Sequence, residues 1–141
     1  MRNKTPLVLM EQLVMVRVLA LAAALCLQAF VLADNRSRQA EIRDQALLEA
    51  HNAVETLKSC AGDYETAAQL CRGTWDGTVL RVFYDEAWQS TVEETPAYTL
   101  TATPVDSAYT LLGRAEIAVA DEDGVTLCAL PAAWQEVDDH G

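Results

Sequence analysis

The sequence predicts an α+β fold in which a long N-terminal helix, transmembrane and then amphipathic, packs against a small antiparallel β-sheet. Three observations carry this expectation. Neither Pro nor Gly occurs between Pro6 and Gly62. Within that stretch a wholly apolar run gives way to an apolar stripe at three- and four-residue steps. From Trp75 onward the period changes to short β-branched and aromatic runs separated by turn dipeptides.

The first half of the helix is Leu7 to Ala33, which reads as a membrane span. Val18 to Ala33 is a run of 16 residues without a charge, and Gln28 is its only strongly polar member. At about 1.5 Å per residue that run covers roughly 24 Å, short of a hydrocarbon core of about 30 Å. Extension back through Gln12 reaches the needed length and takes in Arg17. Arg2 and Lys4 precede the segment, which places the N-terminus in the cytoplasm by the positive-inside rule and the domain beyond Asp34 outside. Arg36, Arg38 and Arg43 on the other side weaken that asymmetry. The rival reading is a secretory signal peptide cleaved after Val31-Leu32-Ala33. An anchor is favoured because the apolar run is long for a signal core, nothing breaks the helix before that site, and Glu11 is out of place in a signal leader. Cys26 does not fit a lipoprotein signal, since Ala23-Ala24-Leu25 lacks the leucine expected three residues before the cysteine. A buried core helix is the least favoured reading, because so small a domain could hardly cover it on all sides.

The second half carries Ile42, Ala46/Leu47, Ala50, Ala53/Val54, Leu57 and Ala61 on one stripe, with Glu41, Asp44, Gln45, Glu49, Asn52, Glu55 and Lys58 mostly off it. The helix is expected to run to about residue 61 and to stop at Gly62 in the left-handed C′ position. Its length, roughly 50 residues, exceeds the usual range of globular helices. Asp63 is a predicted N-cap for a short helix over 63–72, Tyr64 to Cys71, ended by Gly73. A sheet follows over 75–137. Its strands are expected at Val79–Tyr84, Tyr98–Thr103, Glu116–Ala120 and Val125–Leu130, with hairpin turns at Asp76-Gly77 and Asp123-Gly124. Pro96, Pro104 and Pro131 are expected at strand ends. Residues 34–141 thus form a single extracytoplasmic domain.

The charge is uneven. From Asp34 onward there are 20 Asp and Glu against 7 Lys and Arg. Such a surface repels phosphate backbones, so no nucleic-acid binding is expected. No catalytic residue is expected either: there is no Gly-rich phosphate loop, nucleophile elbow or zinc motif. The adjacent acids Asp85-Glu86 and Glu93-Glu94 read as solvated turns. Asp121-Glu122-Asp123-Gly124 lacks the spaced ligands and distal glutamate of a calcium loop and reads as a hairpin turn. The pattern calls for no metal and no cofactor. Cys26 lies in the apolar segment, so Cys60, Cys71 and Cys128 are left outside it and one of the three must stay unpaired within the chain. A Cys60–Cys71 disulfide is disfavoured: if the short helix folds back, Cys71 stands roughly 12 Å from the turn beside Cys60, against an allowed Cα separation of about 7 Å. His51 and His140 are remote in sequence from the cysteines, and Trp75, Trp88 and Trp134 read as packing residues.

Leu7-Val8-Leu9-Met10-Glu11-Gln12-Leu13-Val14 resembles the prepilin-type N-terminal segment of type IV pilins and type II secretion pseudopilins. Arg43 to Glu55 looks like the downstream helix of minor pilins and minor pseudopilins, and a long helix followed by a short sheet is also their shape. The resemblance covers residues 1 to about 61. It implies a short basic leader over residues 1–6, a processing junction between Pro6 and Leu7, and an N-methylated first mature residue. Glu11 would then be the fifth mature residue, which in the family balances the positive amino terminus of a neighbouring subunit in an apolar helix bundle. Two positions depart from the pattern: Pro6 stands where the family has glycine, and Leu7 where it usually has phenylalanine. A proline there has no amide hydrogen and restricts its neighbour, so a peptidase tuned to glycine should cut poorly. The implied partners are other pilin or pseudopilin subunits, the inner-membrane assembly machinery and the lipid bilayer. The implied location is the bacterial cytoplasmic membrane, single-pass, or a surface filament. Arg17 either snorkels to cytoplasmic headgroups or supplies the positive charge that meets a neighbour's Glu11. The alternative function class is a membrane-tethered or secreted small binding domain with no filament role.

Overall fold

The computed structural model describes residues 5–92 and 94–136. Helix α1 spans Thr5–Ser59 and helix α2 Tyr64–Cys71, followed by strands β1 (Thr74–Trp75), β2 (Leu80–Tyr84), β3 (Tyr98–Val105), β4 (Leu112–Asp121) and β5 (Thr126–Gln135). The chain divides into two units, Met1–Glu41 and Ile42–Gly141.

The second unit is an α+β domain. Its strands form one antiparallel sheet in the order β1-β2-β3-β4-β5, each paired with its neighbour in sequence. Alternation along the strands places Leu80, Val82, Leu100, Ala102, Ala115, Ile117, Val119, Ala132 and Trp134 on one buried face. The α1 residues in this unit close that face with Ala46, Ala50, Ala53, Val54 and Leu57, and α2 adds Ala67 and Ala68. The helical stripe is thus mostly as its spacing predicts, with two differences. Leu47 and Ala61 are exposed, whereas Ile42 is half-buried. Alanine at positions 46, 50 and 53 lets the helix backbone approach the sheet, and Leu57 is the one long side chain of α1 that is fully covered.

Helix α1 ends differently from the expectation. The left-handed residue is Ala61 (φ 51°), and Gly62 follows at φ 82°. Ala61 N–H donates to the Lys58 carbonyl and Gly62 N–H to the Leu57 carbonyl, which together make a Schellman ending with glycine one position later than predicted. The reason lies across the turn: a Cβ on Gly62 would meet the Trp134 indole. Helix α2 repeats the device, with Arg72 left-handed (φ 56°) and Gly73 N–H donating to the Ala68 carbonyl. Its N-cap is Asp63, whose carboxylate accepts from the N–H groups of Glu65 and Thr66 and from the Thr66 hydroxyl.

Two prolines lie inside strands rather than at their ends. Pro104 pairs with Ala115 within β3, beyond Ala102, the last β3 residue paired with β2, where β3 has a neighbouring strand on one side only. Pro131 pairs with Glu116 within β5, the free edge of the sheet, where proline is tolerated. Strand β4 also begins four residues earlier than expected, and Gly113 there sits opposite Trp134.

Candidate assembly surface

The first unit contains α1 from Thr5 to Glu41, a helix long and apolar enough to cross a membrane. Its apolar window has no residue buried inside the structure. Leu7, Val8, Leu9, Met10, Leu13, Val14, Met15, Val16, Val18, Leu19, Leu21, Leu25, Leu27, Phe30, Val31 and Leu32 are all exposed, and they lie on every side of the helix. Each such side chain gains about 1.5–3 kcal/mol on leaving water, so a surface of this extent is compatible with a membrane span. At its C-terminal end Asp34 and Arg38 form an ion pair one turn apart at 3.4 Å, both largely exposed.

Pro6 and Leu7 both lie in the first turn of the described helix, where proline costs no intrahelical hydrogen bond. Arg2 and Lys4, the charges of the expected leader, fall outside the described residues. Glu11 and Arg17 lie on the same uninterrupted helix, both exposed, and the structure does not bring them together. Six residues at about 100° and 1.5 Å each separate them by about 120° around the axis and 9 Å along it. Among the described residues the ion pairs are Arg38–Asp34, Lys58–Glu55 and Arg81–Asp76, and neither Glu11 nor Arg17 takes part in any of them.

The cysteines are free thiols. Cys26 is exposed on α1, while Cys60, Cys71 and Cys128 are half-buried against the domain core. Burial pushes the Cys71 thiol up. The Thr56 hydroxyl opposes that shift, and the nearby Cys60 and Glu49 add to it. Burial likewise raises Cys128.

The acidic turns are closed by their own backbone. Asp76 accepts from the N–H groups of Thr78 and Val79 and from the Thr78 hydroxyl, and pairs with Arg81. These donors, the Thr78 hydroxyl first, hold its carboxyl well below the usual range. Asp121 accepts from the N–H groups of Asp123 and Val125, so the Asp121–Gly124 segment is a hairpin turn built on its first carboxylate. Asp85 plays the same part for Ala87 and Gln89. His140 lies outside the described residues, as do residues 137–141 generally.

Other features were not legible in the sequence. Tyr84 is buried and its hydroxyl donates to Glu49 of α1 at 3.3 Å, and Gln45 donates to the other oxygen of the same carboxylate at 3.4 Å. Burial, followed by the charge of Glu49, raises Tyr84 far above the ordinary phenol value. Trp88 takes a positive φ of 59° in the β2–β3 connection and stacks on Tyr98 with ring centroids 3.9 Å apart. Tyr64 stacks on Trp75 and meets Trp134 edge-on, and burial, with Glu136 nearby, pushes its phenol up to about 12. No sequence period announces these pairs, because their partners are brought together by the packing of helices and strands that are apart in sequence. No family model, curated protein or solved structure matches this chain.

Proposed function

We propose that this chain is a membrane-anchored structural subunit of the minor pilin or pseudopilin type. In this reading the apolar half of α1 holds it in the bacterial cytoplasmic membrane and packs helix-to-helix with other subunits, and the acidic domain lies outside. The observation that carries the reading is the exposed apolar surface of α1, in which the charged residues between Leu7 and Ala33 are Glu11 and Arg17. A plain lipid anchor needs neither charge, and a charge in hydrocarbon persists where it has a partner or a route to water. A helix that meets other helices of its own kind gives both charges a use. The acidic outer domain supports the same reading. Its charge keeps neighbouring domains apart in water and leaves the helix as the place of contact.

The test uses the full chain expressed in a bacterium with two differently tagged copies. In this account the protein stays in carbonate-washed membranes, external protease on spheroplasts removes the domain, and one tag co-isolates the other. A soluble species beginning at Asp34 would establish the signal-peptide alternative. A membrane-bound protein whose two tagged copies never co-isolate would leave a tethered domain without a filament role.

A further inference from the structure

We infer that the cleft between the β3–β4 connection and the α1–α2 turn binds a neutral saccharide ring, held by the unpartnered donors of Tyr64 and Trp134. Only the second unit is involved, so the site is independent of how α1 is anchored.

The Tyr64 hydroxyl and the Trp134 indole nitrogen are buried and have no hydrogen-bond partner among the described residues. Trp134 as a whole is only 7% exposed. Such groups are rarely left unpaired, because burial strips them of their hydrogen bonds to water. Both residues line one open cleft of about 260 Å³. The indole nitrogen lies at its wall. It is the atom nearest a Cβ built on Gly62 and nearest one built on Gly113, and both glycines line the cleft. Glu136, whose charge bears on the Tyr64 phenol, lines it as well.

The chemistry of the lining selects the ligand. An indole N–H only donates, so the ligand must present an acceptor to it. The carboxylates of Asp106 and Glu136 only accept, so the ligand must also present donors. Those two carboxylates stand against the single guanidinium of Arg114, which disfavours an anion. Ser107 Oγ accepts from the Tyr109 N–H at 3.2 Å, and its own proton is not used in that bond. Thr110 adds a second hydroxyl. Vicinal hydroxyls are a neutral group that accepts and donates at adjacent atoms. Tyr109 supplies the remaining element. Its ring is 73% exposed and stacks on no other ring among the described residues. The C–H face of a saccharide ring suits the negative face of such an aromatic. A small amide would match the polar atoms and leave Tyr109 unused.

The experiment titrates the full chain, carrying isotope-labelled tryptophan, in a zwitterionic detergent, since a glycoside detergent would compete. The probes are glucose and galactose, with glucuronate and acetamide beside them. Trp134→Phe identifies the Trp134 indole N–H resonance. At least one neutral sugar should move that resonance saturably, and glucuronate should bind more weakly. Tyr109→Ala, at an exposed position, and Tyr64→Phe should each weaken sugar binding by about tenfold, as loss of one ring contact or one hydrogen bond implies. Without sugar, Tyr64→Phe should not lower the melting temperature, because its hydroxyl has no partner to lose. A resonance that neither neutral sugar moves would overturn the assignment, and exchange of the indole proton with a bound water would then account for the donors. Tighter binding of glucuronate than of both neutral sugars, a response to acetamide alone, or unchanged sugar binding by Tyr109→Ala would overturn it as well.

Discussion

Replacement of Gly113 by alanine tests how the domain is packed. Gly113 is the cross-strand partner of Trp134, and a Cβ built on it would stand 2.2 Å from Nε1, 2.3 Å from Cε2 and 2.7 Å from Cζ2 of the indole. Ordinary contact begins at 3.4 Å, so the ring must move by more than an ångström. It has little room, because Trp134 is only 7% exposed and the same ring edge fills the space a Cβ on Gly62 would need. Tyr64 borders it edge-on at 6.1 Å between centroids. Overpacking of this kind costs about 1–3 kcal/mol, offset by about 0.4–1 kcal/mol from the stiffer unfolded chain. A net loss of about 1–2 kcal/mol lowers the melting temperature by roughly 4–16 °C in a unit of this size. Thermal unfolding of the full chain in detergent, followed by tryptophan fluorescence, reads the shift. Trp134→Phe in the Gly113→Ala background should be less harmful than the sum of the two single changes, because the smaller ring leaves room for the methyl group. An unchanged melting temperature for Gly113→Ala, or strict additivity in the cycle, would refute the packing argument.

Three further outcomes follow from the same structure. Leu57→Ala removes the only long fully buried side chain that α1 gives the domain and should cost about 2–5 kcal/mol by denaturant unfolding, whereas Leu47→Ala, at an exposed position, should cost little. Asp63 and Asp76 have carboxyls held below their ordinary values by hydrogen bonds, so their stabilisation is present above the unfolded carboxylate range and is lost as pH falls through the folded values. Stability curves of the wild type and of Asp63→Ala and Asp76→Asn should therefore differ at neutral pH and converge in acid, and a gap that persists in strong acid would contradict this. Tyr64 and Tyr84 have raised phenol values, so the stability they contribute is intact below the unfolded value near about 10 and declines as pH rises toward the folded values. Tyr84→Phe, which also removes the bond to Glu49, should flatten the alkaline decline.

The elements most legible in the sequence were those fixed by local chemistry. Helix α2 follows directly from the Asp63 cap and the breaker at Gly73, and the hairpin turns follow from carboxylates that bind their own backbone. The long α1 follows from the absence of any breaker before Gly62. What escaped depends on neighbours distant in sequence. Pro104 and Pro131 read as strand ends, yet each lies within a strand that has a neighbour on one side only. Gly113 is the seat of an indole contributed by another strand, which nothing in its local sequence announces. Gly62 was expected at the C′ position, which Ala61 takes, and Gly62 follows it, also at positive φ, where the close approach of Trp134, not visible locally, leaves no room for a Cβ. At the candidate surface the sequence supplies nearly all the information, since exposed residues on a lone helix owe their position to spacing alone. Glu49 is the exception: it reads as a solvated face, and the fold turns it onto a buried tyrosine.

The central claim, that α1 meets other helices within the membrane, is tested most directly by a photo-reactive residue at Leu25 of the full chain. Leu25 is 65% exposed and lies well inside the uncharged run. Irradiation of intact cells should give covalent adducts of the subunit with neighbouring membrane-anchored subunits, as helix-to-helix packing requires. A product confined to the monomer and its lipid adducts, at normal expression in the membrane, would contradict the account.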